Sequence, residues 1–170
     1  PAPARDSADL RAIASEALAR EPFDPLDPAG SPLEVGPLAM GRDPLAREIK
    51  ATLGSTVVSR LLAQLLDARV ISGAGESSQQ PGDTPAGAWT VPAGGGVGCA
   101  VTARGPVFHR VVLTADTVAD WRVLAPTDWH FGPRGPVASR LAAMTAQTRE
   151  RVALLVASYD PCAPWALHNA

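Results

Sequence analysis

The chain has 170 residues, with 15 Lys and Arg against 17 Asp and Glu, a net charge of −2 at pH 7, and two cysteines. This near-neutral balance argues against nucleic acid or an anionic membrane as a partner, and no apolar run reaches the roughly 18 residues of a membrane span. The length predicts one domain, 1–170, and the two widely spaced cysteines predict a reducing, cytoplasmic compartment rather than a disulfide scaffold.

Two helices are predicted in the first half of the chain. Apolar residues recur at helical spacing from Ser7 to Arg20, which predicts a short first helix. Five prolines between residues 21 and 41 exclude a continuous helix or a central strand there. Asp43-Pro44 is a strong helix start, and the apolar pattern from Leu45 to Leu66 predicts one long core helix that ends near Gly73.

Residues 73–96 are rich in Gly, Pro, Ser and Gln, which predicts a flexible loop. The glycine run at 94–98 raises the possibility of a phosphate-binding loop. However, no Lys-Ser/Thr pair follows it and no strand is predicted before it, so the sequence disfavours phosphate binding.

The apolar period changes to two in the second half of the chain. Segments 97–104, 107–113 and 118–124 predict three short antiparallel strands. Helical spacing resumes after Pro136, breaks near Thr145 and continues to Tyr159. The predicted fold is therefore α+β, with a long core helix, a small antiparallel sheet and a C-terminal helix.

The chain ends with a thiol and an imidazole six residues apart, Cys162 and His168. A thiolate and a neutral imidazole are both good ligands for transition metals, and Pro161 and Pro164 stiffen the segment that carries them. Spacing alone also fits a buried thiol and a solvated imidazole, and two ligands do not complete a metal site.

The same residues carry a family resemblance. Asp160, Pro161, Cys162 and His168 match the closing Asp-Pro-Cys-x-x-Cys-x-x-His motif of the nickel-iron hydrogenase large subunit, with Trp165 in place of the second cysteine. Segments 32–39, 96–105, 125–130 and 135–139 resemble, in the family's order, its Glu-Val-Gly-Pro-Leu-Ala, Gly-x-Gly, Pro-Thr-Thr-Trp and Gly-Pro-Ile-Glu-Ala-Ser blocks.

The resemblance implies a large-subunit-like α+β fold and a role for each matched residue. Arg104 corresponds to the arginine that faces the diatomic ligands of the iron. Pro126 and Thr127 occupy the position that hydrogen-bonds an iron-bound cyanide, for which a threonine hydroxyl is a suitable donor. Cys162 corresponds to a terminal nickel ligand, and His168 is the second candidate metal ligand.

The departures from the family pattern bear on activity. A nickel-iron centre of this family uses four thiolates, and this chain supplies a matching one only at Cys162, with Trp165 at a bridging position. Val101 and Ala103 replace a glutamate and a proline of the Gly-x-Gly block. We therefore expect no nickel and no enzymatic hydrogen cleavage.

What remains resembles the HupK/HoxV-type accessory proteins, degenerate relatives of the large subunit that are proposed to act as assembly scaffolds. The resemblance implies a maturation scaffold that transiently holds iron with its cyanide and carbonyl ligands. The implied partners are hydrogenase maturation chaperones and the large-subunit precursor, without nucleic acid or membrane.

Two other functional classes stay open. A metal-free paralogue could act as a protein-binding assembly factor through its large-subunit surface. A Cys-His nucleophile would need Cys162 with His109, His130 or His168, and no spacing supports that pairing. Cys99, between glycine and apolar neighbours, fits a packed strand residue better than a ligand.

Overall fold

The computed structural model of the protein describes residues 7–20, 33–75, 77, 85–92, 94–145 and 148–168. Within these residues the elements are, in chain order, α1 Ser7–Ala19, α2 Pro37–Met40, α3 Pro44–Leu53, α4 Val57–Ile71, β1 Gly87–Thr90, β2 Gly96–Thr102, β3 Gly105–Thr114, β4 Thr117–Leu124, α5 Pro126–Phe131, α6 Pro136–Ala143 and α7 Arg149–Ser158. The α+β class is confirmed.

The four strands form an antiparallel meander in the order β1-β2-β3-β4. The three predicted strands are confirmed as β2, β3 and β4, but the predicted 73–96 loop is interrupted by β1. Trp89 of β1 pairs with Val97 of β2, and its indole Nε1 donates to Ser15 Oγ of α1 at 3.0 Å. The local sequence pattern does not predict this contact, because it joins residues that are far apart in the chain. Residues 76, 78–84 and 93 of that stretch lie outside the described part of the chain.

Helix α1 covers one face of the sheet and forms the main core with it. The buried members of this core come from α1, three of the strands, α5 and two positions between elements, and they are Ile13, Ala14, Ala17, Leu18, Val35, Val91, Val97, Phe108, Leu124 and Trp129. Burial of each large apolar side chain contributes on the order of 1.5–3 kcal/mol before conformational entropy is subtracted. This core packs α1, the sheet and α5 against one another.

The predicted single long helix is wrong, because the chain breaks between α3 and α4. Gly54 has φ +65, in the left-handed region that favours glycine. Thr56 then caps α4, its Oγ1 accepting a hydrogen bond from the Ser59 N–H at 3.1 Å. The glycine and the new cap end one helix and start the next.

The prediction that the apolar face of this region is core is only partly confirmed, since Leu66 is buried and Ile49 and Val57 pack against core clusters, while the other members are exposed. Along α4, the side chains at i, i+3, i+4 and i+7 face outward and are Val58, Leu61, Leu62 and Leu65, exposed by 57%, 39%, 38% and 67%. The inward face carries two charged residues, Arg60 and Asp67, and each forms an ion pair with a partly buried partner. Asp67 accepts from Arg42 Nη1 at 2.8 and 3.0 Å, and burial raises the pKa of its carboxyl group despite this guanidinium.

Helices α6 and α7 agree with the predicted helical stretches and the break between them. Val137, Leu155 and Tyr159 form a small core there. Among the described helices, none combines the length and the apolarity that a membrane crossing requires.

Candidate functional site

Three of the sequence segments that match the family blocks meet at Gly105. Its φ is +127, and a Cβ atom there would collide with the carbonyl oxygen of Val35 and contact Cγ of Pro126 at 3.4 Å. Only glycine permits the Val35 backbone and the Pro126 ring to approach this closely. Residues 33–39, the β2–β3 turn and the start of α5 are thereby held together.

The β2–β3 turn presents Arg104 to the C-terminal segment. Thr102 Oγ1 accepts a hydrogen bond from the Arg104 N–H at 3.2 Å and donates to the Gly105 carbonyl oxygen at 2.8 Å, which fixes the turn. Arg104 Nε lies 2.8 Å from Asp160 Oδ2 and 3.0 Å from the Asp160 carbonyl oxygen. Both side chains are nearly half exposed, so this ion pair adds little stability and mainly sets geometry.

Helix α5 places Thr127 next to the thiol. Pro126 is buried at the first helical position, where a missing N–H costs nothing, and Asp128 Oδ2 accepts from the Ala125 N–H at 2.7 Å. Thr127 Oγ1 then lies 3.2 Å from Cys162 Sγ. When the sulfur is a thiolate, the hydroxyl must be the donor.

The terminal segment turns sharply after α7. Asp160 has φ +48, a left-handed conformation that aspartate tolerates better than most residues. Cys162 is exposed two residues later. His168 is also exposed, in a stretch without helix or strand, and its imidazole makes no hydrogen bond or ion pair with the described residues.

The structure therefore brings together Arg104, Pro126, Thr127 and Cys162 through Asp160 and Gly105, and it shows no contact that ties His168 to them. Across the described ranges, no three His, Cys, Asp or Glu side chains cluster as a ready metal site. The sequence contains only two cysteines in total, which is short of a four-thiolate set. The residues brought together here supply one thiol, one hydroxyl and one guanidinium.

Sequence reasoning missed a buried polar cluster behind this site. Arg60 is 3% exposed and donates from Nε and Nη2 to Glu34 at 2.9 and 2.8 Å. His130 Nε2 accepts from the Val35 N–H at 3.1 Å, and its ring centroid lies 5.0 Å from that of Tyr159. Only the charge of Arg60 within an apolar helical pattern could have signalled this cluster.

Two of the three histidines considered for a Cys-His nucleophile are engaged elsewhere. His130 is buried, and burial lowers its pKa to about 4, with Glu34 opposing and Arg60 adding to the shift. His109 Nδ1 accepts from Trp121 Nε1 at 3.2 Å, and the two rings stack with centroids 6.0 Å apart. One ring nitrogen of each histidine thus accepts a hydrogen bond from a group other than Cys162.

The two thiols differ enough to predict their reactivity. Burial raises the pKa of Cys99 to about 11, which the nearby Arg11 only partly offsets, whereas Cys162 is exposed. Because the thiolate is the reactive form, we expect iodoacetamide at pH 8 to modify Cys162 at least about tenfold faster than Cys99. Mass spectrometry of tryptic peptides measures both rates. Equal rates, or faster labelling of Cys99, would contradict this arrangement, and Cys162→Ser supplies the matched control.

Comparison with known proteins adds the family context. A family model described as nickel-dependent hydrogenase matches residues 23–168. The hydrogenase expression/formation protein HupV of Azotobacter chroococcum mcd 1 is 38% identical over 162 residues, 92% of this chain and 43% of that protein. HupK of Azotobacter vinelandii, with the same description, is 37% identical over 139 residues, 79% of this chain and 37% of that protein.

HoxV of Cupriavidus necator, also described as a hydrogenase expression/formation protein, is 32% identical over 129 residues, 69% of this chain and 32% of that protein. The chain thus spans less than half the length of each of these curated relatives.

Proposed function

Because this chain belongs to the nickel-dependent hydrogenase family, we propose that it serves hydrogenase maturation as a scaffold and is not itself a hydrogenase. In this proposal it transiently holds iron with its cyanide and carbonyl ligands. Its relatives are named hydrogenase expression/formation proteins, which supports the maturation role. The proposed partners are maturation chaperones and the large-subunit precursor.

The observation that carries the proposal is the position of Cys162. Its sulfur lies 3.2 Å from Thr127 Oγ1, and Asp160, two residues earlier, is paired with Arg104. A soft thiolate is a good ligand for low-valent iron, while a hydroxyl and a guanidinium are donors that match the acceptor nitrogen of a cyanide. Within the described residues, Arg104 Nη1 makes no hydrogen bond, so the guanidinium keeps donor capacity while paired.

The residues present fit such a cargo better than they fit a nickel-iron centre. The iron fragment carries three diatomic ligands of its own, so it needs few ligands from the protein. A single exposed thiolate also suits reversible transfer of the fragment to a partner. A nickel set of four thiolates exceeds the two cysteines of the chain, one of which has its pKa raised by burial to about 11. We therefore propose iron binding without nickel.

Infrared spectroscopy tests the proposal directly. We expect protein isolated without oxygen from cells that express the hydrogenase maturation machinery to show cyanide and carbonyl stretches. Cys162→Ser should abolish these bands, because the hydroxyl is a far poorer iron ligand than the thiolate. Cys99→Ser is the matched control and should keep the bands.

The second candidate is a metal-free, protein-binding assembly factor. The outward apolar face of α4 favours it, since an exposed apolar stripe is typical of a protein contact. Unmodified protein without such bands, together with hydrogenase maturation that needs the protein but tolerates Cys162→Ser, would reject the scaffold and support this second function.

A further inference from the structure

The segment that carries Cys162 is attached to the fold through a buried tyrosine outside the family blocks. Tyr159 is 5% exposed and directly precedes Asp160. The Arg60 guanidinium lies over its ring, with Cζ 4.1 Å from the centroid, and Arg140 Nε donates to its hydroxyl at 3.1 Å. One aromatic side chain is thus held by two guanidinium groups from different helices.

The Arg60 guanidinium is itself fixed. The Arg60 guanidinium is held by both carboxylate oxygens of Glu34, so it cannot rotate away from the ring without breaking a bidentate ion pair. At the preceding residue, Gln64 Nε2 donates to the Ser158 carbonyl oxygen at 2.9 Å. The end of α7 is therefore anchored to α4 at two consecutive residues.

The contacts beyond Tyr159 are weaker. Asp160 and Arg104 are nearly half exposed, and exposed ion pairs hold a backbone poorly. Cys162 is exposed and touches Thr127 through a single polar contact. The position of the thiol consequently depends on the anchor that lies three residues before it.

We propose that Tyr159 is a positioning residue, whose ring, held under the Arg60 guanidinium, sets the left-handed turn at Asp160 and keeps the Cys162 thiol against Thr127. The proposal deepens the function proposed above, since that function needs the thiol beside the hydroxyl. The test, however, measures the reactivity of the Cys162 thiol in the absence of iron. The positioning role of Tyr159 and the iron-scaffold function can therefore fail separately.

The test measures the alkylation of Cys162 by iodoacetamide at pH 7.5 in a Cys99→Ser background, where it is the single thiol. Thr127→Val removes the hydroxyl that contacts Sγ, and we expect it to slow alkylation by about threefold. This slowing reports the contact between the two side chains.

The slowing is then measured again with Tyr159 changed. Tyr159→Phe keeps the ring under the Arg60 guanidinium, so we expect Thr127→Val still to slow alkylation by about threefold. Tyr159→Leu removes the ring, and Thr127→Val should then change the rate by less than about 1.5-fold. Rescue by phenylalanine separates a positioning ring from a hydroxyl that acts on its own.

A thermal melt shows whether Tyr159→Leu folds, and a second variant tests the proposal if it does not. Arg60→Lys keeps a positive charge opposite Glu34 but removes the planar group from the ring, and it should weaken the Thr127→Val effect in the same way. The proposal is overturned if Thr127→Val leaves the rate unchanged in the parent, or slows it about threefold in both Tyr159→Leu and Arg60→Lys. Infrared bands lost from Cys162→Ser report the proposed function independently.

Discussion

Glu34→Gln is expected to lower the free energy of unfolding by about 3 kcal/mol or more, because it leaves a buried guanidinium without its carboxylate. Arg60 is 3% exposed and donates to both Glu34 oxygens at 2.8 and 2.9 Å. The amide keeps the shape of the side chain and one acceptor, so the loss reports the charge. Urea unfolding followed by circular dichroism measures it.

The matched control is an ion pair on the surface. Glu16 pairs with Arg20 one turn along α1, and the two side chains are 49% and 48% exposed. Glu16→Gln should cost less than about 1 kcal/mol, since water and salt screen an exposed pair. Replacing both members of the buried pair, as in Glu34→Leu with Arg60→Met, should cost less than Glu34→Gln alone. Equal losses at the buried and exposed sites would contradict the assignment.

Acid is expected to destabilise the protein through His130. Burial lowers the pKa of this imidazole from an ordinary 6.5 to about 4. Between pH 6.5 and pH 4, therefore, the imidazole is protonated in the unfolded chain but not in the folded chain. The contribution of His130 to the free energy of unfolding is therefore fully present above about pH 6.5. It is lost as the pH falls toward 4, which lowers the free energy of unfolding by about 3 kcal/mol in all.

His130→Gln isolates this effect. Glutamine can still accept the Val35 N–H but does not titrate, so the variant should lose less stability than the parent between pH 7 and pH 4.5. Groups common to both proteins, such as Asp67 with its raised pKa, cancel in the difference. Tyr159→Phe alters the neighbouring ring without removing a group that titrates in this range, and it should keep the parent's pH dependence. Identical pH profiles for the parent and His130→Gln would refute the prediction.

Local rules accounted for much of the fold. Alternating valines predicted β2, β3 and β4, because a strand's side chains alternate between two faces whatever lies beyond them. Helical spacing and Asp43-Pro44 located the starts of α1 and α3. They did not reveal Gly54 as a helix end, since an isolated glycine in an apolar helical pattern is compatible with both outcomes.

The matched segments identified the family, but sequence spacing could not show how they meet. The contact between Thr127 and Cys162 joins residues 35 positions apart, and Gly105 is needed only because Val35 and Pro126 approach its backbone. Such contacts depend on how α5, α7 and the β2–β3 turn pack, which no local pattern encodes.

The sequence by itself determined the composition class, the strands and the motifs that carry the family resemblance, because these depend on near neighbours and on residue identity. Tertiary structure alone decided which face of α4 is buried. Leucines at helical spacing predict an apolar face toward the core, yet Arg60 and Asp67 lie inside beside Leu66, and Leu61, Leu62 and Leu65 lie outside. Buried charges are tolerable only when partners are in place, and those partners, Glu34 and Arg42, come from segments about 25 residues away.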